Sequence, residues 1–215
     1  MNMKKINFVL VLAWISFVLV SSSYFFLPEQ IPMHWNLNGE VDSYGPKYFV
    51  FVMAVLPVAI YYLINITRKM DPKHKKIEEK LGAYNFMRDI TVMIFVAISA
   101  IFIFSVLNPN FNITSILMTV LGLSFVVLGN YMPRVPHNYH MGVKTPWAFA
   151  NEDNWKKTQR VGGYVLCFSG FCMACSAFLE AKVVMPIVLG ITLIGVIGTY
   201  VYSWLLFKKG EKEHD

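Results

Sequence analysis

Two polar segments carry the side chains that could do chemistry in an otherwise apolar chain. Residues 27–47 contain His34, Trp35 and Asp42, and residues 129–163 contain three prolines, two tryptophans and five basic residues. A connector between two hydrophobic helices needs only a few polar residues. These two segments are therefore the places where we look first for function.

The first segment could hold a metal or an acid–base pair through His34 and Asp42. A zinc site usually needs three protein ligands, and only one imidazole is present here. The pattern favours a tight loop on the membrane surface, with Trp35 as an interfacial anchor. A role in recognition for His34 and Trp35 stays open.

The second segment contains two histidines three residues apart, His137 and His140. On a helix they would share a face, but Pro133 and Pro136 precede them and Gly142 follows, which predicts irregular backbone. No glutamate lies between them, as it would in a zinc-protease helix. The sequence therefore favours a solvated interfacial pair, and it predicts no metal, no cofactor and no catalytic residue.

The C-terminal half of this segment has the pattern of two helix starts. Thr145 followed by Pro146 is the pattern of an N-cap residue with proline at the first helical position. Asn151 is a second predicted N-cap, because acidic residues follow it in the first turn. Favourable pairs four residues apart are Glu152–Lys156 and Asp153–Lys157. Caps and pairs leave other polar residues unexplained, namely Asn130, Arg134, Asn138 and Trp147. Arg134 could bind a phosphate or a carboxylate, or simply extend to the headgroups, and the sequence leaves both open.

The composition predicts the elements that position these residues. The chain has 215 residues, of which 56% are hydrophobic and only 15% charged, whereas soluble domains carry about 25% charged residues. Apolar runs of about 20 residues predict membrane-spanning helices, and they occur at 6–28, 48–67, 90–107, 113–132, 161–179 and 183–207. We read the first run as a span rather than a signal peptide because aromatic residues extend it past the serines. We predict an all-α integral membrane protein with six transmembrane helices, organised as 1–68, 69–132 and 133–215.

The basic residues predict the orientation. With six spans both termini lie on one side, and that side holds 17 of the 19 Lys and Arg residues, whereas the other side holds Lys47 and Lys182. The basic side is expected to be cytoplasmic, so residues 129–163 lie inside and 28–47 outside. The basic residues are split among four short segments, which argues against nucleic-acid binding and favours contact with the lipid bilayer.

Small residues in the last two predicted spans indicate close helix packing. Gly170 and Ala174, and Gly195 and Thr199, are spaced four apart. The three cysteines, Cys167, Cys172 and Cys175, give no disulfide framework and are predicted to be packing residues.

The motifs of both segments together resemble the SdpI family of bacterial membrane proteins. The resemblance in the outer loop rests on Leu27-Pro-x-x-Ile-Pro-x-His-Trp-Asn36 with Gly39 and Asp42. In the second segment it rests on Gly129-Asn-Tyr-Met-Pro-Arg134, Asn138, Gly142, Thr145-Pro-Trp147, Asn151-Glu152, Trp155, Thr158 and Gly162-Gly163. The chain departs from the pattern at Val143-Lys144, where Ile-Arg is expected, and at Gln159, where His is usual.

The resemblance implies a membrane immunity protein of the bacterial plasma membrane, which protects the cell from a secreted, membrane-active peptide toxin. It also implies signalling, in which an ArsR-type repressor would be held at the membrane. Toxin recognition would fall to the outer-loop residues His34, Trp35, Asn36, Gly39 and Asp42. We call a second set the inner-face platform: Asn130, Pro133, Arg134, Asn138, Thr145, Pro146, Trp147, Asn151, Glu152 and Trp155.

The alternative is a lipid-headgroup enzyme or a small transporter that uses Asn130, Arg134 and Trp147. No predicted span contains a buried carboxylate or lysine of the kind that marks ion pathways. No nucleophile–base pair and no Gly-rich phosphate loop is visible either. The sequence therefore favours a protein that is not an enzyme.

Overall fold

The computed structural model describes residues 7–36, 38–108, 113–179 and 181–212. Most of this part of the chain is helical, with one β-hairpin near the N-terminus. The helices are α1 Phe8–Ser22, α2 Val50–Met70, α3 His74–Glu79, α4 Leu81–Leu107, α5 Ile113–Tyr131, α6 Pro146–Ala150, α7 Glu152–Ser176 and α8 Ala181–Lys212. The strands are β1 Gln30–Trp35 and β2 Val41–Pro46, and short 3-10 turns cover Ser23–Phe25, Lys47–Phe49 and Met132–Arg134.

Five helices of the described chain are long and apolar enough to cross a membrane: α1, α2, α4, α5 and α8. This confirms the prediction of a helical membrane protein with several spans. The predicted fifth span falls in α7, which is not among the five. That helix begins with the polar residues of the second segment and becomes apolar only from about Val161 onward.

The boundary of α4 differs from the sequence prediction. The charged connection was expected to extend to Arg88, but α4 begins at Leu81 and includes Arg88 and Asp89. Arg88 is buried, and its guanidinium has partners there: it donates to Asp89 and, at 3.0 Å, to Oδ1 of Asn65 on α2. Its guanidinium also lies over the ring of Tyr61, 4.6 Å from the centroid. Pairing of this kind lets a charged side chain stay inside a helix bundle.

Two predicted turns lie partly outside the described residues. In the turn predicted at 108–112, Asn108 follows the end of α4, and residues 109–112 are not described. In the turn predicted at 180–182, residue 180 is not described, and α8 already begins at Ala181. Helix α8 therefore begins two residues before the predicted span, which starts at residue 183.

The outer loop is a β-hairpin, which the all-α prediction missed. Strands β1 and β2 pair antiparallel from Gln30↔Pro46 to Trp35↔Val41. Ile31 is fully buried and joins the apolar core at this end of the bundle. That core is formed by Val20, Leu27, Ile31, Val50, Ala54, Phe102 and Val106. The hairpin is thus docked on α1, α2 and α4, because burying Ile31 stabilises it on the helix ends.

Helices α5 and α7 pack through pairs of glycines. A Cβ on Gly122 would lie 2.5 Å from the carbonyl oxygen of Gly170, and a Cβ on Gly129 would lie 2.6 Å from that of Gly163. The predicted close packing is confirmed, and Gly170 and Ala174 contact α5. Gly195 of α8 contacts α7, since its Cβ would lie 2.5 Å from Cγ1 of Val165. Small residues allow such close approach between membrane helices.

Candidate functional site

The hairpin presents a His–Asp pair to solvent. The strand register shifts between Pro32 and His34 and again between His34 and Trp35. Irregularities of this kind redirect side chains on a strand. Nδ1 of His34 lies 2.6 Å from Oδ1 of Asp42, and both side chains are exposed. Two of the five residues in the predicted recognition set, His34 and Asp42, are therefore in direct contact.

Asn36 shapes the turn of the hairpin. Its Oδ1 accepts hydrogen bonds from the backbone N–H groups of Asn38 at 2.8 Å and Glu40 at 3.1 Å. Its Nδ2 donates to Oε2 of Glu40 at 2.9 Å. Gly39 has a φ of 81°, a conformation that favours glycine. Asn36 and Gly39 therefore shape the turn that joins the strands carrying His34 and Asp42. Both are half-buried, whereas His34 and Asp42 are exposed.

Trp35 anchors the hairpin to the bundle. Its ring is half-buried and meets the ring of Phe102 edge to face, with the centroids 6.2 Å apart and the planes at 90°. Contacts of this geometry are worth about 1 kcal/mol beyond the buried area. Trp35 pairs with Val41 next to the turn, so its ring joins the turn end of the hairpin to α4. Its roles as an interfacial anchor and in recognition stay predictions.

Residues 135–145, which we call the inner loop, connect α5 to α6. Asn138 is fully buried and organises this loop. Its Oδ1 accepts from the N–H groups of His140 at 2.8 Å and Met141 at 2.6 Å. Its Nδ2 donates to the carbonyls of Pro136 at 2.8 Å and Met141 at 3.2 Å. All four of its hydrogen bonds go to the backbone of the inner loop. The presence of an asparagine at this position is therefore explained by the loop structure, and no ligand is needed to account for it.

The inner loop is also held from α7. Gln159 accepts from the N–H of Val143 at 2.9 Å and donates to the carbonyl of Val143 at 2.8 Å. Gly142 has a φ of 94°, and a Cβ there would collide with Oε1 of Gln159. The amide of Gln159 therefore bonds both backbone groups of Val143, as a neighbouring strand would. Gln159 is one of the positions where the sequence departs from the family pattern.

His137 is buried in an aromatic stack, so the prediction of a solvated histidine pair is wrong for this residue. Its ring stacks on Trp155 with centroids 4.6 Å apart, and on Phe149 at 5.9 Å. Tyr139 continues the stack on Phe149 at 4.8 Å. Burial and then the neighbouring Lys73 ammonium lower the pKa of His137 from 6.5 to about 4. The ring is therefore neutral at pH 7, whereas His140 lies at the surface.

The connection between α2 and α4 contacts the inner loop through residues that the sequence did not single out. The buried carboxylate of Asp71 accepts from the N–H of Tyr139 at 2.8 Å. Nζ of Lys73 lies 2.6 Å from Nε2 of His137, and Lys76 forms an ion pair with Glu152. The long-range contacts of Asp71, Lys73 and Lys76 had no signal in the sequence.

Helix α8 joins this site through a cluster of buried polar groups. Oγ of Ser203 lies 2.6 Å from Oγ1 of Thr145 and donates to Oδ1 of Asn154 at 2.9 Å. The same Asn154 oxygen accepts from Thr158 at 2.9 Å, and its Nδ2 donates to the carbonyl of Ser203 at 2.9 Å. Ser203 was missed because a single serine in a long apolar run has no distinguishing pattern.

The two predicted helix caps are confirmed. Oγ1 of Thr145 accepts from the N–H of Ala148 at 3.0 Å. Oδ1 of Asn151 accepts from the N–H groups of Asp153 at 2.8 Å and Asn154 at 3.3 Å. Both predicted pairs four residues apart are present as well, with Lys157 2.7 Å from Asp153 and Lys156 3.7 Å from Glu152.

The inner-face platform separates into buried and accessible members. Asn138, Thr145 and Trp155 are buried, and Pro133 and Trp147 are half-buried. The exposed members are Asn130, Arg134, Pro146, Asn151 and Glu152. Arg134 donates weakly to the carbonyl of Asn130 at 3.4 Å, and its guanidinium lies 4.8 Å from the ring centroid of Tyr131. The accessible surface at this end is thus polar and of mixed charge.

Neither region contains a metal-binding constellation. No group of three His, Cys, Asp or Glu residues that could hold a metal ion occurs in the described ranges. The arrangement suits recognition at the hairpin and contact with another molecule at the inner face.

Comparisons with known proteins match both regions. The SdpI/YfhL protein family matches residues 134–203, from the inner loop into α8. A domain of unknown function, DUF1648, matches residues 10–58, which include the hairpin. No solved structure is significantly similar to the chain.

A similar curated protein extends the match to nearly the whole chain. It is "Immunity protein SdpI" of Bacillus subtilis (strain 168), 25% identical over 209 residues. The match covers 96% of this chain and 98% of that protein. Together with the apolar helices, it identifies a multi-pass protein of the bacterial cell membrane. The resemblance to the SdpI family that the motifs predicted is therefore confirmed.

Proposed function

We propose that this chain is a membrane immunity protein that protects its cell from a secreted, membrane-active peptide toxin. The observation that carries the proposal is the match to an immunity protein over 96% of the chain. The match includes both the exposed hairpin and the inner loop, the two regions where polar chemistry is concentrated.

The proposal includes six spans with both termini inside. Helix α7 supplies the additional span, because its apolar part is aligned with the candidate span α5 through the Gly122/Gly170 and Gly129/Gly163 contacts. The side chains of Tyr164, Phe168 and Phe171 on this part of α7 are exposed, as lipid-facing residues would be. The excess of basic residues then orients the inner loop toward the cytoplasm.

The hairpin is the proposed toxin-binding surface. It is exposed on one side and rigidly seated on the other, since Ile31 and Trp35 hold it on the helix ends. A surface that is already ordered binds without the entropic cost of ordering it. The exposed His34–Asp42 pair supplies polar groups for recognition at its edge.

The inner-face platform is the proposed contact for a cytoplasmic repressor of the ArsR type. Its accessible side chains include Arg134, Asn151 and Glu152, and the buried members hold these in place. Charged groups at the edge of a rigid surface contribute to partner selection.

A non-enzymatic role fits the geometry. The hydroxyl groups of Thr145 and Ser203 are buried and bonded to each other, and Ser203 also donates to Asn154. Within the described residues, none of the hydrogen bonds of these two hydroxyl groups goes to a basic side chain. A nucleophile needs such a base or a lowered pKa.

The test of the proposal is survival. A toxin-sensitive host that expresses the chain should grow at toxin concentrations that kill the same host with an empty vector. Equal killing of both, with the protein present in the membrane, would contradict the immunity proposal.

A further inference from the structure

Three contacts join the α2–α4 connection to the inner loop and the start of α7. They are Asp71 to the N–H of Tyr139, Lys73 to His137, and Lys76 to Glu152. We propose that these contacts form a latch that holds the inner loop closed over its aromatic stack, and that opening the latch exposes the stack to solvent.

Asp71 is the buried end of the latch. Its side chain is fully buried, and its two oxygens accept from the N–H groups of Lys73 at 2.7 Å and Tyr139 at 2.8 Å. One carboxylate thus fixes the first residues after α2 and a residue of the inner loop 68 positions later. Hydrogen bonds to a charged acceptor are stronger than neutral ones.

Lys73 is the middle contact, and its acceptor is a neutral ring. Its Nζ lies 2.6 Å from Nε2 and 3.0 Å from Nδ1 of His137, and a neutral imidazole has one nitrogen that can accept. The same ammonium lies 5.5 Å from the ring centroid of Tyr139 and 5.9 Å from that of Phe149. Lys73 therefore lies against the outer members of the aromatic stack.

Two of the three latch contacts, those of Lys73 and Lys76, are weak. Lys76 and Glu152 are half-exposed, and exposed ion pairs contribute little. Burial lowers the pKa of Lys73, so its charged form is disfavoured where it lies. The inner loop also has its own buried bonds from Asn138 and Gln159. We therefore expect the latch to open while the loop keeps its internal structure.

The latch is attached to the helix that follows the hairpin. Strand β2 ends at Pro46, α2 runs from Val50 to Met70, and Asp71 comes directly after it. A displacement of α2 would act on Asp71 first. This coupling to the hairpin rests on the proposed function, whereas the latch itself does not.

Hydrogen exchange tests the latch on the purified full-length protein without any toxin. Lys73→Met keeps the aliphatic stem and removes the ammonium, so exchange of the segment around Tyr139 should rise about tenfold or more. Lys75→Met, which changes an exposed lysine outside the latch, should exchange as wild type does. Wild-type exchange around Tyr139 in Lys73→Met would overturn the proposal.

If Lys73→Met disturbs the whole fold, hydrogen exchange will be faster in α5 as well. A pair of charge-reversal variants tests the latch in that case. Lys76→Glu should increase exchange around Tyr139, and the double variant Lys76→Glu with Glu152→Lys should restore it. Failure of the double variant to restore protection would overturn the latch. Hydrogen exchange is measured without toxin, so its result reports on the latch alone. The immunity proposal is tested separately by the survival assay.

Discussion

Gly129 of α5 and Gly163 of α7 approach each other so closely that a Cβ on Gly163 would lie 2.5 Å from the carbonyl oxygen of Gly129. No side chain fits between two backbones at this distance. The contact aligns the apolar part of α7 with α5, and it places the inner loop between the ends of the two helices.

We expect Gly163→Ala to destabilise the protein because the added methyl group must push α5 and α7 apart. Overpacking of this kind costs about 1–3 kcal/mol. Gly190→Ala on α8 is the matched control, since nothing lies within 4 Å of a Cβ there. The measurement is the thermal unfolding midpoint in detergent. Equal midpoints for the two variants would contradict the close helix contact.

Labelling with a membrane-impermeant thiol reagent checks the proposed topology. In a cysteine-free background, Ser43→Cys on the hairpin should label in intact cells, whereas Lys156→Cys on α7 should label only after lysis. Both positions are exposed, unlike Asn138, which is buried and would react poorly on either side. Labelling of Lys156→Cys in intact cells would reverse the orientation.

The exposed hairpin pair should matter for protection. We expect His34→Ala and Asp42→Asn to lower the protective effect by about fivefold or more, because truncating a residue that dominates an interface costs over about 1 kcal/mol. Protein abundance should be unchanged, since both side chains are exposed and outside the core. Lys75→Met, at an exposed position of α3 outside the hairpin, serves as the control. Full protection by both variants would remove the pair from recognition.

Acidification should destabilise the protein through His137. Its pKa is about 4 when folded and 6.5 in the unfolded chain, so the unfolded state takes up the proton first as the pH falls. The free energy of unfolding should therefore decrease from about pH 6.5 down to about pH 4 and then level off, by an amount on the order of 1–3 kcal/mol. His137→Phe keeps a stacked ring and should flatten this part of the pH profile. The exposed His140→Asn should leave it unchanged.

The inner-face platform can be tested with one exposed and one half-buried member. Arg134→Lys keeps the charge but loses the planar fork, and Trp147→Ala removes a half-buried ring. If the platform holds a repressor, membrane recruitment of that repressor should fall in both variants while abundance stays normal. Unchanged recruitment in both would indicate that this region only fastens the helices. Trp155→Ala is unsuitable, because the ring is buried and its loss would cost about 3–5 kcal/mol.

Local features of this protein were decided by neighbouring residues in the chain. Thr145 and Asn151 cap helices because their side chains reach backbone N–H groups two or three residues ahead, which depends on no other element. The long apolar runs likewise predicted the helices of a membrane protein, since only internally bonded backbone is stable there. The motifs in the two polar segments were sufficient for the family resemblance.

The roles of individual polar residues depended on tertiary contacts. His137 and Lys73 are 64 residues apart in the chain, so no local pattern shows that the Lys73 ammonium lies beside the buried ring and, after burial itself, lowers its pKa. Arg88 looked like the end of a charged loop, but Asn65 on another helix satisfies it inside α4. Trp35 became a packing residue because Phe102 lies beneath it. In each case the partner lies on a different element, and burial and charge pairing appear only once those elements have packed together.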